Sequence, residues 1–166
     1  MEKHVLSALV KNSSGVLSRV SGLFSRRGYN IDSLTVGSTE DSAISRMTIT
    51  LMADDDVLEQ VKKQLEKLED VIRVVNFKAN ESVYRELVLI KVRANAENRS
   101  AINETVKIFR SKIIDISTDT LTIELTGDEE KISALINLMK EYGIEEVART
   151  GVTALQRGES TIKNTI

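Results

Sequence analysis

Residues 4–28 read HVLSALVKNSSGVLSRVSGLFSRRG, and this stretch decides the fold because the period of its apolar residues changes once. Alternation over His4–Lys11 predicts a β-strand, and a repeat of three to four positions after it predicts an α-helix. Gly28 follows the helix where a left-handed residue costs little, and it ends the helix. The predicted buried face of that helix consists of Val16, Val20, Leu23 and Phe24.

The same alternation of strand and helix continues along the chain. Two β-branched runs, 30–37 and 44–51, flank a polar turn and predict a hairpin. Three aspartates at 54–56 suit the start of a second helix, whose apolar stripe is followed by a strand at 71–77. The order is β-α-β-β-α-β. After a short linker, 78–82, it begins again, with strands at 86–93, 113–117 and 121–126, helices at 97–110 and after Asp128, and a last strand or strand pair at 144–155.

These elements predict an α+β protein made of two ferredoxin-like βαββαβ units, each an antiparallel sheet with both helices on one face. The expected boundaries are 1–78 and 84–158, with a tail at 159–166. Such a unit leaves its other sheet face and an edge strand uncovered. A second copy could cover the face or extend the edge, so we expect a homodimer.

Composition excludes several classes of function. The chain has 166 residues, no cysteine and one histidine, which argues against thiolate chemistry, disulfides and a histidine-based catalytic or metal site. Its 23 basic and 25 acidic residues give a net charge of −2, so it is not expected to bind nucleic acid. It has no apolar run long enough to cross a bilayer and no signal sequence, so no membrane association and a cytoplasmic location are expected.

The first strand–helix junction is the best candidate for a binding site. Amides of a first helical turn have no partner within the helix and carry partial positive charge. Gly15 lets a small carboxylate approach them closely, and Asn12 offers a donor and an acceptor, as an amino-acid zwitterion requires. The alternative is that Asn12 or Ser14 only caps the helix and Gly15 only turns the chain. In the second unit, Glu97 is expected to fill the equivalent positive end.

The run KNSSGVLSRVSGLFSRRGYNIDSLTVG, residues 11–37, resembles the small regulatory subunit of acetohydroxyacid synthase, also called acetolactate synthase. The resemblance extends to 45–49, to IFRSKIIDI at 108–116 and to VARTGV at 147–152. It therefore covers nearly the whole chain and leaves only the last residues, from Ser160 on, without a counterpart.

This resemblance implies an N-terminal ACT domain, an amino-acid-sensing module, followed by a second ferredoxin-like domain that transmits the signal. It implies ACT domains paired through their edges, with a branched-chain amino acid bound between two subunits. The effector is expected to be valine, with leucine and isoleucine as alternatives. The implied effector-binding residues are Asn12 and Gly15, the helix-start amides of Val16 and Leu17, and the partner subunit's Asn30 and Ile31.

The resemblance further implies a chain without catalytic or metal-binding residues that binds the catalytic subunit, enhances its activity and confers feedback inhibition by valine. Thiamine diphosphate, magnesium and FAD are then expected only in the catalytic subunit. Two other functions remain open from the residues alone. One is a free-standing ACT-type sensor that regulates another enzyme or a transcription regulator, and the other is a metal-dependent enzyme that uses acidic residues.

Overall fold

Residues 4–28 fold as their apolar period predicts, into the central strand of a sheet and a helix packed on it. In the computed structural model, which describes residues 1–164, the helix ends at Gly28, whose φ is 70°. The four predicted apolar positions of the helix are its buried residues. The first unit, Met1–Tyr84 together with the chain from Val152 on, contains β1 Glu2–Lys11, α1 Val16–Arg27, β2 Ser33–Ser38, β3 Ile44–Ala53, α2 Asp55–Glu66 and β4 Val71–Phe77.

The first sheet has the strand order β2-β3-β1-β4, with every pair of neighbours antiparallel. Because of this order, the β1–α1 junction, the β2–β3 turn and the start of β4 lie at one end of the sheet. The chain enters β2 at the other end. Leu6, Ala8 and Val10 of β1 pack in one core with the buried residues of both helices, which places α1 and α2 on the same face.

The second unit, Arg85–Gly151, repeats this plan. Its sheet has the order β6-β7-β5-β8, and alternate residues of β5 pack against both helices. The predicted α+β class with two βαββαβ units is therefore confirmed. The elements of this part of the chain are β5 Ser82–Arg93, α3 Arg99–Ile108, β6 Lys112–Ile116, β7 Thr120–Gly127, α4 Glu129–Met139 and β8 Ile144–Arg149, followed by β9 Thr153–Gln156.

Two predicted elements in this half differ from the structure by two or more residues at an end. β5 begins at Ser82, inside the predicted linker, because Tyr84 packs beside Phe77 and donates a hydrogen bond to its carbonyl oxygen at 2.6 Å. α3 is shorter at both ends than the predicted 97–110. Side-chain hydrogen bonds of Asn95 hold the chain in a turn before it, and Arg110, with φ 53°, takes a left-handed conformation after it.

The chain itself covers the second face of the first sheet. Val152 and Ala154 pack on that face with Val5 and Phe77, and Ile162, within the predicted tail, is also buried, with 3% of its surface exposed. Part of this face is therefore covered within one chain. The predicted tail, 159–166, is described as far as Asn164, and its last two residues lie outside the described part.

Candidate functional site

The start of α1 has the geometry expected of an anion-binding junction. Gly15 immediately precedes the helix with φ 85°, a left-handed conformation that favours glycine. No side chain of residues 1–164 caps this helix start, so the alternative that Asn12 or Ser14 acts as the cap is wrong. The amides of the first turn, including those of Val16 and Leu17, therefore face the loop without a side-chain acceptor, and the helix dipole adds positive potential there.

Asn12 is held against the β2–β3 turn. Its backbone amide donates to the Ala43 carbonyl oxygen at 2.8 Å, and its side-chain Nδ2 donates to the Ser42 carbonyl oxygen at 2.9 Å. Among residues 1–164 no donor bonds its Oδ1. The predicted donor-and-acceptor role is thus divided, because the amide nitrogen already fixes the loop and the oxygen is left as an acceptor.

Arg19, a residue that the sequence does not single out, adds a formal positive charge to this junction. Its Nε and Nη2 lie 2.7 and 2.6 Å from Oδ2 of Asp70, whose side chain is only 19% exposed. Its Nη1 lies 3.0 Å from the position that a Cβ on Gly15 would take. Arg19 follows Gly15 by about one helical turn, which could have suggested proximity, but nothing local predicts Asp70 as its partner.

The remaining predicted residues divide by location. Val16 is buried in the core, so only its backbone can face a ligand, whereas Leu17 is about half exposed. Asn30 is exposed, its Nδ2 donates to Asp32 Oδ1 at 3.1 Å, and Ile31 packs partly against the core. Asn30 and Ile31 lie where the chain enters β2, at the end of the sheet opposite Asn12 and Gly15. One protomer therefore does not bring the two halves of the predicted site together.

The equivalent junction of the second unit contains a turn held by its own side chain, Asn95, in place of a glycine. The two junctions correspond: the Lys11 amide donates to the backbone carbonyl oxygen of Asp70, and the Arg93 amide donates to that of Gly143. In the turn before α3, however, Asn95 Oδ1 accepts from the amides of residues 97 and 98, both at 2.9 Å, and the N-cap residue Asn98 makes no side-chain hydrogen bond to the first turn of the helix. The prediction that Glu97 fills the positive helix end is wrong, because α3 begins at Arg99 and Glu97 lies in the turn before it, where Asn95 accepts from its amide.

Two further features bear on other classes of function. Within residues 1–164, no group of three histidine, cysteine, aspartate or glutamate side chains comes together to hold a metal ion. None of the helices in that range combines the length and apolar character that crossing a lipid bilayer requires.

Both halves of the chain match families of known proteins. Residues 6–73 match the family described as the AHAS small subunit-like ACT domain. Residues 85–158 match the family described as the small subunit of acetolactate synthase. The two matched ranges fall one in each half of the chain.

Complete proteins show the same likeness. The chain is 54% identical to the acetolactate synthase small subunit of Mycolicibacterium smegmatis, over 93% of this chain and 91% of the relative. It is 55% identical to the probable acetolactate synthase small subunit of Archaeoglobus fulgidus, over 94% and 98% of the two chains. The crystal structure of the small subunit from Thermotoga maritima superposes with a TM-score of 0.89 at 42% identity, covering 96% of this chain and 100% of that one.

Proposed function

Because this chain belongs to the small-subunit family of acetolactate synthase, we propose that it is a regulatory subunit which binds the catalytic subunit, enhances its activity and confers feedback inhibition by valine. The family matches confirm the resemblance read from the sequence. A small subunit of this family is a non-catalytic component of the enzyme. The thiamine diphosphate, magnesium and FAD of the reaction belong, in this proposal, to the catalytic subunit.

The observation that carries the effector site is the uncapped start of α1 beside a fixed guanidinium. The carboxylate of valine accepts hydrogen bonds from the amides of Val16 and Leu17, where Gly15 presents no Cβ to block it. The Nη1 of Arg19 lies beside the same position and adds a full charge to the partial charge of the helix end. Asn12 provides an oxygen that can accept from the ligand's ammonium group.

The second half of the site comes from a partner subunit through the β2 edge. Asn12 and Asn30 lie at opposite ends of one sheet, so a two-fold axis that pairs β2 with its own copy in antiparallel fashion brings them together. Two strands separate the other edge strand, β4, from β2, so pairing through β4 would not bring Asn12 to the partner's Asn30. The partner's Asn30 then presents its Oδ1, since its Nδ2 is occupied by Asp32, and the partner's Ile31 supplies apolar contact.

Feedback control by valine follows from a binding site that requires two subunits. A ligand that contacts both protomers stabilises the arrangement in which the two halves meet. Inhibition requires that this arrangement be the less active one in the holoenzyme, and a coupling free energy of about 1–3 kcal/mol is enough for a useful change in activity. The second unit, as we propose, transmits the change to the catalytic subunit.

The direct test is reconstitution. The purified chain is mixed with the acetolactate synthase catalytic subunit, and acetolactate formation is measured while valine, leucine and isoleucine are titrated separately. We expect higher activity on mixing and inhibition by valine at the lowest concentration of the three. A catalytic subunit whose activity is unchanged by the chain, with or without amino acids, would rule the function out.

Arg19 gives a prediction specific to the electrostatics of the site. Replacing it with glutamine should raise the valine concentration for half-inhibition about three- to tenfold, because a charge-assisted contact to a carboxylate contributes about 1 kcal/mol more than a neutral one. Lys107→Gln, in the last turn of α3 in the second unit, removes a positive charge away from both halves of the site and serves as the control. Equal responses of the two variants would show that Arg19 has no specific part in binding.

A further inference from the structure

The chain's last segment crosses the first unit's sheet on the face away from the helices. We call residues 152–164 the C-terminal strap. Val152 and Ala154 begin it in contact with Val5 and Phe77, and Ile162 near its end is buried. The strap is therefore packed onto this face where it begins, and its side chain at position 162 is buried near its end.

Lys163 contacts both sides of the first sheet at the end where residues 12–15 lie, which we call the effector loop. Its carbonyl oxygen accepts a hydrogen bond of 3.2 Å from Arg73 Nη1 in the edge strand β4, and its ammonium pairs with Glu40 in the β2–β3 turn. The ammonium of Lys163 lowers the pKa of the Glu40 carboxyl below its usual value. Both side chains of this pair are exposed, so the pair positions the strap more than it stabilises it, and the buried Ile162 supplies most of the hold.

The β2–β3 turn is also the part of the protein that holds Asn12. Ser42 and Ala43 accept the two hydrogen bonds from Asn12, and Asp41 Oδ1 accepts from the Ala43 amide at 2.9 Å. Glu40, which pairs with the strap, is adjacent to Asp41. A few consecutive residues of one short turn thus contact the strap on one side and the effector loop on the other.

From this shared turn we propose that the C-terminal strap regulates the effector site, by holding the β2–β3 turn in the position that keeps Asn12 and Gly15 ready to bind. This inference rests on the proposed effector site at Gly15. When the strap is displaced, the turn is restrained on one side only, and the loop samples arrangements that do not bind. The apparent affinity for valine then falls in proportion to the population of the arrangement that can bind it. Valine potency should therefore depend on residues that do not touch valine.

The test compares two alanine substitutions that remove side chains of the same size, in the full-length chain assembled with the catalytic subunit. Ile162→Ala removes the buried anchor, whereas Leu155→Ala removes a side chain of the same strap that is 61% exposed. We expect Ile162→Ala to raise the valine concentration for half-inhibition about three- to tenfold, with uninhibited activity unchanged. Leu155→Ala should stay within about twofold of wild type. A wild-type response of Ile162→Ala overturns the proposal.

A charge exchange separates regulation from simple loss of stability. Glu40→Lys and Lys163→Glu each put like charges together and should each weaken valine inhibition, whereas the double variant, which restores an opposite pair, should recover it. Failure of the double variant to recover potency counts against the strap, and this experiment decides the matter if Ile162→Ala does not assemble. If Gly15→Asp is also inhibited normally, the effector site itself is misplaced, and that failure is distinct from failure of the strap.

Discussion

Gly15→Asp is expected to make the holoenzyme resistant to valine while the subunit still folds and still activates the catalytic subunit. The new carboxylate lies at the helix start, accepts from the amides that the ligand needs and repels the ligand's carboxylate. Charge-assisted hydrogen bonds contribute about 1.5–3 kcal/mol, so the concentration for half-inhibition should rise about 10- to 100-fold.

The substitution is tolerable in the structure. The φ of 85° is strained for most residues, but aspartate and asparagine adopt left-handed conformations more readily than others. The Cβ would lie 3.0 Å from Nη1 at the far end of the Arg19 side chain, so a small shift of that end relieves the contact while the pair with Asp70 persists. Folding and activation of the catalytic subunit should survive.

Gly15→Asn is the matched control, because it has the same shape and backbone preference without the charge. It should retain clearly more sensitivity to valine than Gly15→Asp does. Calorimetry of the purified variants with valine measures binding apart from activity. Normal valine binding by Gly15→Asp would remove this junction from the effector site.

Mixing two resistant variants should restore valine binding if the site is shared between subunits. In a Gly15→Asp homodimer and an Asn30→Ala homodimer, both sites carry a defect. In a heterodimer of the two, one site carries both defects and the other is wild type, because it combines Gly15 of one chain with Asn30 of the other. Random exchange gives half heterodimers, so about a quarter of the wild-type number of sites should return.

Calorimetry before and after exchange, with dimer composition read by native mass spectrometry of differently tagged chains, measures this recovery. The control is a mixture of Gly15→Asp with Asn12→Ala, whose changes lie in the same half of the site, so no heterodimer contains an intact site. Absence of recovery in both mixtures would place Asn30 and Gly15 in the same protomer's site, against the geometry of the β2 edge.

The structure also changes how the second unit should be examined. A chain truncated after Asn80 would appear to isolate the sensing module. It would also remove Val152, Ala154 and Ile162, which cover the first sheet, and would expose Val5 and Phe77 to water. Loss of inhibition in that truncation would not distinguish a transmission role of the second unit from damage to the first, so substitutions within residues 85–151 are the better test.

Local patterns determined most of what is known of this chain: the alternation and helical period, Gly28 and Asp128 at helix ends, the two βαββαβ units and the open junction at Gly15 depend on neighbours within a few positions. Only the tertiary structure revealed Asp70 holding Arg19 and Lys163 reaching Glu40. These two contacts join residues that are 51 and 123 positions apart in the sequence. A hydrophobic period carries no information on either, because it records which face of an element is buried and not what meets it.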